Sequence, residues 1–134
     1  LREKIQNNVV EITLDKPSKE IKFGNSSKIS FHSTETVCKN KVNLISVDSH
    51  KLLFPLKLRN VKNGDYFFPI GMVGKKKVLK FLKDRKINSV DKFNKLVLVN
   101  GDDEIIWVVG MRLDRRFSVS DGSKKIIDIK IDND

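Results

Sequence analysis

Residues 96–109 read LVLVNGDDEIIWVV, two apolar runs joined by Asn100-Gly101-Asp102-Asp103. Asn-Gly between apolar runs is the strongest short-range hairpin signal in the chain, because both residues accept the backbone angles of a tight turn. Strands are therefore predicted over 96–99 and 105–109. Further short strands are predicted over 9–14, 20–23, 28–31, 42–47, 52–58 and 125–131, separated by turn-prone groups such as Asp15-Lys16-Pro17-Ser18, Gly24-Asn25-Ser26 and Asp121-Gly122-Ser123. Ile127, Ile129 and Ile131 fall on one face of the last of these. Pro55 interrupts residues 52–58 and can give no ladder hydrogen bond, so that strand is expected at a sheet edge or bulged. Residues 112–117 alternate loosely, and the polar stretch 33–41 reads as a loop. With about eight short strands and one convincing helix, the chain is expected to be mainly β, an α+β arrangement with the helix packed against or between sheets. Residues 1–8 read as a linker or the end of a preceding element, and 9–134 as one domain.

The helix belongs to the stretch 59–86, RNVKNGDYFFPIGMVGKKKVLKFLKDRK, which also concentrates turn glycines and positive charge. It is predicted over 75–85. At 100° per residue Val78, Phe81, Leu82 and the stem of Arg85 share one side, and Lys76, Lys80 and Lys83 the other. Lysines at a helix start are opposed by the helix dipole and by one another, so local stability does not account for Lys75, Lys76 and Lys77 there. Either they form a solvated cap, or exposed helix N–H groups and ammonium groups converge on an anion. Further on, Ser89 is expected to cap a short helical turn over 90–94.

Charge distribution favours the anion. The 134 residues carry a net charge of +10, yet residues 57–92 alone hold 11 basic and 3 acidic side chains. A positive field confined to one segment suits a polyanion. No apolar run is long enough to cross a membrane, and the apolar residues of the helix are needed for a core, so a membrane partner is not expected. A single cysteine, Cys38, and no signal-like start fit a cytoplasmic setting. The opening LREKIQNN, without an initiator Met, reads as a piece of something longer.

Reaction chemistry finds little support. Gly71-Met72-Val73-Gly74-Lys75 lacks the spacing of a phosphate-binding loop and the hydroxyl that would follow its lysine. His32, Cys38 and His50 lie 6 and 12 residues apart, without the paired close spacing of a zinc site. Asp48, Asp65, Asp84 and Asp91 give no sign of converging, and Asp65 after Gly64 reads as a turn carboxylate. No serine lies in a nucleophile elbow. No catalytic, cofactor or metal residue is therefore expected. Tyr66, Phe67 and Phe68 alternate in direction, so Phe67 or Phe68 is expected inside, as is Trp107. Duplex recognition through phosphates is accordingly preferred to base stacking. Arg112, Arg115 and Arg116 form a second basic group. If Leu113 and Phe117 point inward, Asp114 shares the outward parity of Arg112 and Arg116 and orients one of them.

In order along the chain, Arg59, Gly64-Asp65, Pro69-Ile70-Gly71-Met72-Val73-Gly74, Lys76-Lys77, Phe81-Leu82 and Trp107-Val108-Val109-Gly110-Met111-Arg112 form a series within residues 54–117. The series resembles the C-terminal domain of bacterial tRNA(Ile)-lysidine synthetase. It departs at Leu79-Lys80, where the family often carries a carboxylate, which makes this surface more basic. The resemblance implies a layered β-sandwich-like domain, similar to one in the β subunit of phenylalanyl-tRNA synthetase. It also implies a parent enzyme that uses ATP and Mg to activate C2 of the wobble cytidine of tRNA(Ile), which the ε-amine of lysine then attacks. In that family catalysis belongs to an N-terminal domain with an SGGxDS signature. No such motif occurs here, so this fragment is expected to be inactive, to hold no cofactor, and to have as partners the acceptor-stem region of tRNA(Ile) and its own N-terminal catalytic domain. Arg59, Lys75, Lys76, Lys77, Lys80, Arg112, Arg115 and Arg116 are the residues expected to meet phosphates. The rival expectation is a protein-interaction or dimerisation domain of the same enzyme, a homodimer pairing through open edges near Pro55 or at 125–131.

Overall fold

The computed structural model describes residues 10–17, 19–24, 26–35, 41 and 43–133. The expected lead-in over 1–8, most of the 33–41 loop and Cys38 lie outside the described residues. Within them the chain forms β1 (Glu11–Leu14), β2 (Ile21–Phe23), β3 (Ser27–Thr34), β4 (Leu44–Asp48), β5 (Leu56–Asn60), β6 (Tyr66–Phe67), β7 (Lys76–Lys77), α1 (Val78–Asp84), β8 (Leu96–Val99), β9 (Ile105–Val108), β10 (Arg112–Leu113) and β11 (Ile126–Asn133). Three 3-10 turns cover Ser49–Lys51, Lys92–Asn94 and Arg115–Phe117. The described chain is thus mainly β with one α-helix. Of its eleven strands β6, β7 and β10 have only two residues each, too few to carry an alternation that sequence could reveal.

One sheet runs β1-β5-β8-β9-β10, a second β2-β3-β11-β4, and β6-β7 form a separate ribbon. The predicted hairpin is β8–β9, with Val97 opposite Val108, Leu98 opposite Trp107 and Val99 opposite Ile105. Ile106 is the extra residue of a bulge, and it joins Leu98 and Trp107 in an apolar cluster. That cluster also takes Leu56 and Leu58 from β5, Phe31 from β3, Ile45 and Val47 from β4, and Ile127, Ile129 and Ile131 from β11. The remaining hairpin residues, Val97, Val99, Ile105 and Val108, join a second cluster with Phe67, Val78, Phe81 and Leu82. Burial on both sides explains why LVLV and IIWVV are nearly continuous apolar runs instead of alternating ones.

Two edges expected from sequence are not edges. The strand after Pro55 starts at Leu56 and lies between β1 and β8, so the proline sits just outside the ladder, after a cis peptide bond. The last strand, β11, lies between β3 and β4 and hydrogen-bonds to both.

The helix is shorter than predicted. Lys76 and Lys77 do not open it; they pair as β7 with Phe67 and Tyr66, and α1 begins at Val78. Its buried side is the predicted one: Val78, Phe81 and Leu82 are buried, and the Arg85 guanidinium carbon lies 4.7 Å from the Phe81 ring centroid. Phe67 meets Phe81 edge to face at 5.2 Å. Burying each such side chain contributes about 1.5–3 kcal/mol. At the other end Lys86 turns left-handed at φ 65°, which lets Ile87 N–H reach Leu82 O at 3.0 Å and close the last carbonyls. Ser89 does not cap the following 3-10 turn; instead the Asn88 side-chain oxygen accepts from the N–H groups of Val90 and Asp91 just ahead of it.

Candidate nucleic-acid interface

The segment from β6 to β7 is held in place by one buried carboxylate. Asp114 follows β10 and is fully buried. One of its oxygens accepts from Phe68 N–H at 2.9 Å and Arg116 Nη2 at 2.9 Å; the other accepts from Arg116 N–H at 2.8 Å and Arg116 Nε at 3.1 Å. Backbone bonds run beside it, from Ile70 N–H to Leu113 O and from Arg115 N–H to Phe68 O. The outward parity expected for Asp114 is therefore wrong, because the chain leaves the strand there and enters a 3-10 turn that Asp114 caps. Its expected role in orienting an arginine holds, and the arginine is Arg116. Burial opposes the guanidinium charge, but the Asp114 hydrogen bonds and charge outweigh it and raise the Arg116 pKa further.

Around this segment the aromatic side chains collect cations. Tyr66 is exposed and meets Phe68 edge-on at 6.3 Å, while Lys75 Nζ stands 4.6 Å from the Tyr66 ring centroid. Arg115 and Arg116 lie 5.4 and 4.4 Å from the Phe68 ring. Arg112 donates to Ile70 O at 3.0 Å and lies 5.9 Å from the Phe81 ring. Lys75, Arg112, Arg115 and Arg116 are thus gathered about the same loop. Gly71 at φ 81° passes beneath Arg112 Nη1, which would stand 3.8 Å from a Cβ there. Phe67 is fully buried and Trp107 nearly so, as expected.

The eight predicted phosphate contacts divide into three kinds, of which Arg112 and Arg115, bonded to the Ile70 and Met72 carbonyls, are one. Arg59 makes a two-pronged pair with Asp65, 2.9 Å on each arm, and Asp65 also accepts from Lys62 N–H. Arg116 is bound to Asp114 and, at 2.9 Å, to Glu104. Lys75, Lys76, Lys77 and Lys80 have no carboxylate partner among the described residues. Lys76 and Lys77 are neighbours in a strand and point to opposite faces of the ribbon: Lys77 is exposed and opposite exposed Tyr66, Lys76 half-buried and opposite buried Phe67. Lys76 and Lys77 thus lie in the ribbon ahead of the helix instead of in its first turn, and the first helical N–H, that of Val78, donates to Asp65 O.

Asp102, Asp103 and Glu104, at the β8–β9 turn, line a pocket of about 460 Å³ with Arg59, Tyr66 and Arg116. Lys92 is a cation that sequence reasoning did not single out, because the 3-10 turn that seats it carries no alternation; with Lys80 and Lys83 it lines a groove beside α1. His32 and His50 are exposed, and no helix among the described residues is long and apolar enough to cross a membrane.

Comparison with known proteins identifies the family of the chain. The family model described as the TilS substrate C-terminal domain matches residues 56–131. A tRNA(Ile)-lysidine synthase of Parabacteroides distasonis is 42% identical over 89 residues, 66% of this chain and 20% of that protein. One of Bacteroides thetaiotaomicron is 39% identical over 84 residues, 63% of this chain and 20% of the relative. The chain thus spans about a fifth of the length of these relatives. A crystal structure of a TilS C-terminal domain superposes with a TM-score of 0.77 at 19% identity, covering 92% of this chain and 98% of the other. At that identity the likeness is one of fold.

Proposed function

The chain belongs to the TilS substrate C-terminal domain family, and from that premise we propose that it is the non-catalytic tRNA-binding part of a tRNA(Ile)-lysidine synthase. The observation that carries this is the contrast in how its cations are used. Arg59 and Arg116 are bound to carboxylates that hold the fold, whereas Lys75, Lys76, Lys77 and Lys80 have none among the described residues. Unpaired ammonium groups on a rigid β frame suit contacts to phosphate, which position an RNA without reading its sequence. Among the described residues Arg112 and Arg115 hydrogen-bond only to backbone carbonyls, so their remaining N–H groups are available to phosphate oxygens.

In this reading the parent enzyme carries ATP, Mg and catalysis in an N-terminal domain and joins lysine to the wobble cytidine in the cytoplasm. This domain grips the acceptor-stem region of tRNA(Ile) and contacts its own catalytic domain. The apolar cluster shared by the two larger sheets supports a layered, sandwich-like frame beneath the binding face. A dimerisation role loses the edges on which it was based, since β5 and β11 are interior strands.

Titration of the 134-residue chain with tRNA(Ile) at several salt concentrations tests the proposal. With about five phosphates neutralised, log K falls against log salt with a slope near −4. A slope near zero overturns it.

A further inference from the structure

Lys80 also lines a groove of about 670 Å³ between α1 and the Lys92–Asn94 turn. Half-buried Leu79 and Ile87 give it an apolar side continuous with the second cluster. Lys80, Lys83 and Lys92 give it three ammonium groups, and no carboxylate lines it. The Ser89 hydroxyl at one end has no partner among the described residues. Phe93, on the bounding turn, is 41% exposed with Lys92 Nζ 5.3 Å from its ring centroid.

A duplex backbone has no use for this combination. Its phosphates meet water, and its bases hide their faces in the stack. An unstacked nucleotide offers both a flat apolar face and an adjoining phosphodiester, the pairing that single-strand grooves exploit. We propose that the groove takes an unpaired nucleotide of the bound RNA, its base against Leu79 and Ile87, its phosphates at Lys80, Lys83 and Lys92, and a ribose hydroxyl at Ser89. The assignment rests on the RNA-binding reading above and adds a single-stranded element to it.

The test compares a hairpin RNA with a blunt stem and the same hairpin with four unpaired nucleotides at its 3′ end. The wild-type chain is expected to bind the extended RNA about tenfold more tightly. The double variant Lys83→Ala/Lys92→Ala is expected to lose that advantage, while its affinity for the blunt stem falls no more than about threefold. A photoreactive thiouridine in the extension is expected to crosslink the wild-type chain within residues 79–92. Equal wild-type affinity for the two RNAs, or a crosslink elsewhere, overturns the groove assignment and leaves the phosphate contacts standing. If the wild-type chain binds neither RNA, both readings fail. If a polyglutamate peptide displaces the extension as readily as free single-stranded RNA does, the groove is a site for acidic peptides instead.

Discussion

The N–H of Gly101 donates to the carbonyl of Leu53 at 2.6 Å, and a Cβ on Gly101 would collide with that same oxygen. Next to it, the buried Asn100 side chain accepts from Leu53 N–H at 2.7 Å and donates to Lys51 O at 3.3 Å. The tip of the β8–β9 hairpin therefore clamps the segment that leads into β5. Gly101 has no left-handed φ, so what the position requires is close approach, not an unusual backbone angle.

Gly101→Ala is consequently expected to destabilise the chain by about 1–3 kcal/mol through the clash with Leu53. Gly122→Ala serves as a control, since a Cβ there meets nothing within 4 Å. Urea unfolding of both variants checks this, and equal midpoints would remove the clamp from the account.

Asp114 is the second point of concentrated cost. Replacing it with Ala leaves Phe68 N–H without its acceptor and Arg116 without the carboxylate that holds it. The expected loss is about 3 kcal/mol, the range for breaking a buried pair by removing one partner. Arg116→Met leaves the carboxylate still bonded by two backbone N–H groups and is expected to cost less. Thermal unfolding ranks the two variants, and the opposite order would move the hub from Asp114 to Arg116.

Lys86 ends α1 in the left-handed region, where a Cβ is crowded by the neighbouring carbonyl. Lys86→Gly removes that crowding and is expected to stabilise by roughly 0.5–1 kcal/mol, even though it also loosens the unfolded chain. Chemical denaturation would show a higher midpoint at unchanged slope; a lower midpoint would mean that the lysine side chain makes a contact worth more than the strain.

What sequence revealed and what it hid separate along physical lines. The β8–β9 hairpin and the buried side of α1 were legible because their signals are local: an Asn-Gly turn between apolar runs, and Val78, Phe81 and Leu82 at helical spacing. The interior place of β11 was not, since it depends on pairing with β3 and β4, whose partner residues lie at least 78 positions back, as from Ile126 to Asp48. The same holds for Lys76 and Lys77, which pair with Tyr66 and Phe67 across a glycine-rich loop and so do not open the helix. Asp114 misled for another reason: strand parity fails at the residue where the strand ends, and a carboxylate with four hydrogen bonds can be fully buried. At the candidate interface the cations were legible as a group, but not the division between structural arginines and unpaired lysines.

Acid is expected to destabilise the protein partly through Asp48. Burial opposes its ionisation, but hydrogen bonds from the Ser123 hydroxyl and His50 N–H, with the Lys51 and His50 charges, outweigh it and hold its pKa below the ordinary value. With the folded pKa below the unfolded one, the unfolded state takes up the proton first. The contribution is complete above the unfolded pKa of about 3.9 and is lost as pH falls through the folded value. Asp48→Asn should thus show a shallower decline in melting temperature between about pH 5 and pH 2 than the wild type. Parallel declines would show that Asp48 is not a source of the acid sensitivity.

The division among the cations gives the sharpest test of the interface. Lys77 is exposed and Lys76 half-buried, and neither has a carboxylate partner among the described residues, so Lys76→Ala/Lys77→Ala is expected to leave the melting temperature within about 2 °C while weakening tRNA binding. Each lost phosphate contact lowers the magnitude of the salt slope by about one unit. Because the two side chains leave opposite faces of the ribbon, the single variants should differ: one removes a contact, and the other does so only if the RNA wraps the ribbon edge. Arg59→Met is the contrasting case. Its guanidinium is tied to Asp65 on both arms, so its loss is expected to lower stability by about 3 kcal/mol and to leave the salt slope of the folded fraction unchanged. If instead the lysine pair unfolds the chain and Arg59→Met alters only the salt slope, the roles assigned to the two groups are reversed.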